Sequence, residues 1–137
     1  TPDYFERYGI PRVPEDLVRH NCLAFNLQGG QQRGWTFMRD GKPFAVRVDG
    51  DLDCNDGELL YGWVKQGWGI SWRSTWEIQA ELKRGELVTV LDDFALPSYD
   101  IQAVYQQQRY LPAKVRRFID YLRNIYNKPG YWEGDAV

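Results

Sequence analysis

Few residues in this 137-residue chain have the type and spacing for covalent or metal chemistry. His20 is the single histidine, and no Gly-x-Ser-x-Gly turn is present to raise a serine nucleophile. Nucleophilic catalysis needs a nucleophile, a base and an orienting group, so His20 reads as structural. Cys22 and Cys54 are the only cysteines, without metal-ligand spacing. That argues against a zinc site and against a disulfide scaffold. As redox-sensing thiols they compete with a simpler reading, two small buried hydrophobes at strand positions, which is favoured. Asp49, Asp51, Asp53 and Asp56 have the density of a calcium loop. They lack its glycine and closing glutamate, and acids on the wet face of a strand explain the first three equally well. Gly67-Trp68-Gly69 lacks the third glycine and the helix of a dinucleotide fingerprint, and there is no phosphate loop. No catalytic residue, metal or cofactor is therefore assigned. An enzyme on an α/β scaffold, using His20 or Asp56, is the least favoured alternative.

What remains is binding chemistry. Asn55-Asp56-Gly57 follows an expected strand and opens an expected helix. Asn55 reads as the helix cap, with Glu58 at capping-box spacing. A helix N-terminus at a strand end also offers free backbone N–H groups to an anion. The second candidate is aromatic: four of the six tryptophans fall between Trp63 and Trp76. Trp35, Trp63 and Trp76 read as core, and Trp68 leans the same way. Trp72, at the end of an expected strand, fits a core or a cleft wall equally.

The elements that would position these residues are legible in order. Tyr4 to Tyr8 allow one turn of helix at most, closed by Gly9, and Pro14-Glu15-Asp16-Leu17 starts a short helix that ends at His20. Cys22-Leu23-Ala24-Phe25-Asn26 is a short apolar strand. Residues 28–34 are a polar, glycine-rich loop. Trp35 and Phe37, the Asp40-Gly41 turn, and Phe44, Val46 and Val48 spell a hairpin. Then comes a strand-helix-strand-helix-strand run over residues 54–91. Its first helix buries Leu60, Trp63 and Val64 and stops at Gly67. The strand Trp68-Gly69-Ile70-Ser71-Trp72 follows. A second helix, capped by Ser74 with Glu77 three residues on, carries Ile78 and Leu82 to Gly85. Residues 87–91 are a strand, and Ile101-Gln102-Ala103-Val104-Tyr105 another. Pro112 opens a helix with Val115, Phe118, Ile119, Leu122, Ile125 and Tyr126 on one face. The pattern is that of an α/β fold with a mostly parallel sheet, where ligands settle at strand ends.

Bulk properties narrow the class. A hydrophobic fraction of 43% supports a packed core. The formal charge of -2, with scattered basic residues, disfavours nucleic-acid binding by this stretch alone. The apolar runs are too short to span a bilayer, so no membrane association is expected. No signal peptide and no initiator Met stand at the start, and the chain reads as a piece of something longer, cytoplasmic by default.

One ordered series of motifs carries a family resemblance. It begins with Pro2-Asp3-Tyr4-Phe5, Gly9-Ile10-Pro11-Arg12-Val13-Pro14-Glu15-Asp16-Leu17 and His20-Asn21-Cys22-Leu23. Trp35-x-Phe37, Asn55-Asp56, Gly67-x-Gly69-Ile70 and Gly85-x-Leu87-Val88-x-Val90-Leu91 follow. The series ends with Leu111-Pro112-x-Lys114-Val115-x-x-Phe118-Ile119-Asp120-x-Leu122. Together these resemble LysR-type transcriptional regulators over nearly the whole chain. The resemblance implies a periplasmic-binding-protein-like effector domain and an N-terminal winged helix-turn-helix, absent here, through which DNA would be bound. It implies that residues 1–94 are the second lobe and 95–126 the returning strand and helix of the first, with 127–137 a tail. The chain would then begin near the first crossing between lobes. A small organic effector, an acid or an aromatic compound, would sit between lobes. Motif matching gives its contacts as Asn55, Asp56, Gly57, Ser71, Trp72 and Arg73 from this lobe and Tyr105 from the other. Where the family often has aliphatics, this chain has Trp68, Trp72 and Arg73. Arg73 there either pairs with a carboxylate effector or is solvated. A homo-oligomer is implied for the full-length protein. The runner-up is a stand-alone solute-binding lobe of a transport protein.

Overall fold

The computed structural model describes residues 1–26, 34–97, 102, 104, 105, 112–129 and 131. They fall in two compact units, Thr1–Pro97 and Ser98–Val137.

The first unit is built on one buried strand. β1, Cys22–Phe25, has its first three residues buried, so both of its faces are covered, as expected for the centre of a parallel sheet. β4, Asp53–Cys54, pairs parallel to it on one side, with Ala24 opposite Asp53 and Phe25 opposite Cys54. β5, Ile70–Ser71, pairs parallel on the other, with Cys22 opposite Ile70 and Leu23 opposite Ser71. The order is β4-β1-β5. Asn21 secures the start of β1 to both neighbours: its Oδ1 accepts from Asp51 N at 2.9 Å and its Nδ2 donates to the Trp68 carbonyl at 2.8 Å.

A separate antiparallel hairpin joins β2, Gly34–Arg39, to β3, Lys42–Arg47. Its turn residues Asp40 and Gly41 both have positive φ, 52° and 73°. That backbone matches strand twist in a two-residue hairpin, which is why Asp-Gly signals one. The hairpin buries Trp35 and Phe37 with Leu17, Cys22 and Val48, and Ile70 packs against this cluster. Full burial of side chains such as Leu17, Leu23 and Leu60 contributes about 1.5–3 kcal/mol each.

Helices cover the sheet. α1, Pro2–Tyr8, is longer than the single turn expected, because the Thr1 hydroxyl caps it and Pro2 is preorganised for the first position. It buries Tyr4 and Phe5. A 3-10 helix, Pro14–Arg19, ends at His20 as expected. α2, Gly57–Lys65, buries Leu60, while Trp63 and Val64 are half-buried. α3, Gln79–Arg84, follows a 3-10 turn at Thr75–Glu77. Ser74 precedes that turn, but its side chain makes no capping bond, so the expected cap there is not made.

Three expected strands are corrected. The strand expected over residues 68–72 contracts to Ile70–Ser71. Residues 87–91 are irregular, so the strand-helix-strand-helix-strand run loses its last member. Of the strand expected over 101–105, Gln102, Val104 and Tyr105 belong to none, and Ile101 and Ala103 lie outside the described residues. The expected polar loop at 28–34 also falls outside them except Gly34, which opens β2.

The second unit presents α4, Ala113–Tyr126, directly after Pro112. Val115, Ile119, Leu122, Ile125 and Tyr126 are half-buried, Phe118 is exposed, and Arg116, Arg117, Asp120 and Arg123 are exposed. Among the described residues no helix is long and apolar enough to cross a membrane.

Candidate functional site

The carboxyl ends of β1, β4 and β5 open on one edge of the parallel sheet, and the candidate residues gather there. Asn26 follows β1; its N–H donates to the Cys54 carbonyl at 2.7 Å and its Nδ2 to Asp53 Oδ2 at 3.2 Å. Asn55 and Asp56 follow β4 and are exposed. The helix cap is Asp56, not Asn55. Asp56 Oδ1 accepts from the N–H groups of Glu58 and Leu59, each at 2.9 Å. The expectation of free N–H groups for an anion is modified accordingly, because a resident carboxylate already occupies this helix end.

Ser71, Trp72 and Arg73 follow β5. The Arg73 guanidinium reaches across to α2: Nη1 donates to the Gly57 carbonyl at 3.1 Å. Nη2 forms a 2.7 Å ion pair with Glu77 Oε2. The Tyr61 ring lies 5.8 Å from the guanidinium carbon. Arg73 is thus tied across the strand ends and is neither solvated nor without a counter-charge. Arg73 Nε and Ser71 Oγ are buried without a hydrogen-bond partner among the described residues. Buried polar atoms of this kind are uncommon and call for a missing partner.

Trp72 stands half out of the surface at 43% exposure. Its ring meets Phe37 edge-on at 5.4 Å and Trp35 at 6.3 Å. One face is therefore anchored while the rest is open to stacking. Trp68 and Trp76 are also exposed, at 45% and 52%, against the expectation of core positions. Trp68 stacks on Trp63 at 6.3 Å. Tyr105 belongs to the second unit and is more than half exposed.

The groups that would signal catalysis are committed to structure. His20 is buried, with Nδ1 3.4 Å from the Tyr4 hydroxyl, and desolvation pushes its pKa down. Burial pushes the Cys22 thiol up to about 12, so it is not a thiolate. Cys54 is half-buried, and its thiol donates to the Asp56 carbonyl at 3.1 Å. Asp49, Asp51 and Asp53 are exposed. Among the described residues no group of three or more His, Cys, Asp or Glu side chains could hold a metal.

Sequence reasoning missed three participants. Asn26 could have been found as the polar residue ending a parallel strand. Glu77, seen only as a capping partner, is the counter-charge of Arg73. Tyr61 donates to Glu81, and burial with that contact pushes its pKa up to about 12. Nothing in local spacing marks Tyr61.

Comparison with known proteins adds a consistent set of relatives. A family model described as the LysR substrate binding domain matches residues 1–126. The HTH-type transcriptional activator TtdR of Escherichia coli K12 is 33% identical over 122 residues, 89% of this chain and 39% of that protein. The HTH-type transcriptional regulator DmlR of the same strain is 30% identical over 126 residues, covering 92% and 41%. In three dimensions, the regulatory domain of AphB from Vibrio vulnificus matches with a TM-score of 0.72 and 28% identity, over 93% of this chain and 62% of that one. The chain thus spans about two fifths of the length of these curated relatives.

Proposed function

The chain belongs to the LysR substrate binding domain family, and we propose from that premise that it is the effector-sensing part of a longer transcriptional regulator. Residues 1–94 form one lobe of the sensing domain, 95–126 supply the returning strand and helix of the other, and 127–137 are a tail. A small organic effector, an acid or an aromatic compound, binds at the strand ends against Asn55, Asp56, Gly57, Ser71, Trp72 and Arg73. Tyr105 contributes from the other lobe. Effector binding biases lobe closure, which a ligand can do only if it distinguishes the open and closed states. The response reaches DNA through an N-terminal winged helix-turn-helix, in a homo-oligomeric protein that works in the cytoplasm. No catalytic role is assigned, since the relatives are named as regulators.

The observation that carries this reading is the convergence of three parallel strand ends with the start of α2, topped by a half-exposed indole. Open α/β sheets bind ligands at such an edge. Relatives named as regulators favour this reading over a transport lobe. The test is calorimetry on the intact regulator against a panel of organic acids and aromatic compounds. For any hit, Trp72→Ala should weaken binding at least about tenfold, near 1.4 kcal/mol. A hit whose affinity is unchanged by both Trp72→Ala and Arg73→Ala would sink the assignment of this edge.

A further inference from the structure

Arg73 differs from the other paired arginines among the described residues. Its side chain is 17% exposed, against 74% for Arg19, 43% for Arg39 and 52% for Arg84. Exposed ion pairs contribute little, but a guanidinium drawn this far out of water needs a counter-charge. Glu77 supplies it, and is itself 32% exposed. The pairing uses only part of what the guanidinium offers. Nε and Nη2 carry parallel N–H bonds along one edge of the group, the edge that a carboxylate grips with both oxygens. Glu77 Oε2 takes Nη2 at 2.7 Å, while Nε has no partner among the described residues. On the other edge Nη1 is held by the Gly57 carbonyl at 3.1 Å, which fixes the fork at the start of α2. The segment that carries Glu77 is lightly tied. The 3-10 turn Thr75–Glu77 has three residues, and neither Ser74 before it nor Ile78 after it makes a side-chain capping bond. Its backbone bonds are Glu77 N–H to the Ser74 carbonyl at 3.1 Å and Ile78 N–H to the Thr75 carbonyl at 3.2 Å. α3 follows directly, so a displacement of Glu77 is passed on to Gln79–Arg84.

We propose that Glu77 is a built-in competitor for an effector carboxylate on Arg73, and that its displacement is how an acid is sensed at this edge. Without a ligand, Glu77 neutralises Arg73 through Nη2 alone. An incoming carboxylate takes Nη2 and Nε together, with one oxygen on each. Glu77 then turns out to water with its 3-10 turn. One carboxylate replaces another, so the charge of Arg73 stays compensated throughout and no proton is transferred. The exchange selects acids, because a neutral compound offers nothing that releases Glu77. It also sets a threshold, since the ligand must outcompete a carboxylate tethered beside the site. The bound and free states differ in where Glu77 and the start of α3 lie, which is the kind of difference a ligand must distinguish to bias a conformational change.

The inference rests on the proposed effector site, but it is read without the effector. The test is a titration of the intact regulator with sodium acetate, followed by nuclear magnetic resonance at the Arg73 Nε–H. Acetamide, and sodium chloride at matched ionic strength, are the controls. Glu77→Gln leaves a partly buried guanidinium without its counter-charge, so acetate should bind that variant at least about fivefold more tightly than the unaltered protein. In the unaltered protein, saturating acetate should speed hydrogen exchange at the Glu77 and Ile78 amides as the turn is released. Acetamide and chloride should do neither. Should Glu77→Gln fail to fold, Glu77→Asp, which keeps the charge on a side chain one methylene shorter, should show a smaller gain in the same direction. Equal acetate affinity in variant and unaltered protein overturns the proposal, as does a chloride response as large as that of acetate. An acid effector that needs Arg73 but binds Glu77→Gln no more tightly sinks the exchange and leaves the effector site standing. Acetate competition with no effector hit at this edge does the reverse.

Discussion

His20 is packed among aromatic rings: Tyr4 lies 5.9 Å from it and Phe5 6.5 Å, with Arg19 next to it in sequence. Desolvation first and the Arg19 charge second push its pKa down, and Asp16 only partly offsets them. The unfolded chain, with a histidine near its ordinary value of about 6.5, then binds the extra proton more readily than the folded one. Stability is full above that value and falls as pH drops through it towards the folded pKa. His20→Gln should flatten the slope of stability against pH in that window, measured by urea unfolding at a series of pH values. An unchanged slope would remove His20 from the account. The role of His20 as a structural residue was legible from its isolation in the sequence. Trp68 and Trp76 were not: hydrophobicity suggested core positions, and only the fold shows which surface they reach. Arg73 was found by its place after a strand, but its ties to Gly57 and Glu77 depend on contacts that spacing does not encode.

At the level of elements, local chemistry was the reliable guide. Asp40-Gly41 identified the hairpin because both residues must take positive φ. The stop at Gly67 followed the same logic. Gly67 N–H donates to the Val64 carbonyl and Trp68 N–H to that of Trp63, closing α2 through a left-handed residue. α3 ends in the same way, with Gly85 N–H on Leu82 and Glu86 N–H on Glu81. The cap of α2 was misplaced by one residue, since Asn55 and Asp56 are both good caps and only the backbone decides between them. The strand expected over 87–91 failed for a different reason. A strand needs a partner for its backbone, and composition carries no information about whether one is present. The two glycine stops make a matched test. Gly85 has φ of 70°, and a methyl added there would meet open space, so Gly85→Ala should cost about 1–2 kcal/mol for the left-handed backbone alone. Gly67 has φ of 72° and the Thr1 hydroxyl in the way, so Gly67→Ala should cost measurably more. Equal losses in chemical denaturation would show that Thr1 yields freely.

Across the whole molecule, the two units differ in what holds them. Every buried side chain among the described residues, from Tyr4 to Leu87, belongs to Thr1–Pro97. That unit has a parallel sheet, a hairpin cluster and three covering helices. The described part of the second unit offers α4, a 14-residue helix with no buried residue. Isolated helices shorter than about 12–15 residues are marginal in water even with favourable sequences, because nucleation is unfavourable and only packing offsets it. The amphipathic stripe of α4 was legible from spacing, yet a stripe states only that a partner surface is needed, not where it is. Residues 1–97 should therefore fold alone, with a cooperative thermal transition followed by near-ultraviolet circular dichroism of the packed tryptophans. Residues 98–137 alone should show weak helicity that declines gradually on heating. A cooperative transition in 98–137 by itself would mean that α4 finds its packing within that unit. The absence of one in 1–97 would overturn that expectation and mean that the parallel sheet depends on chain outside this unit.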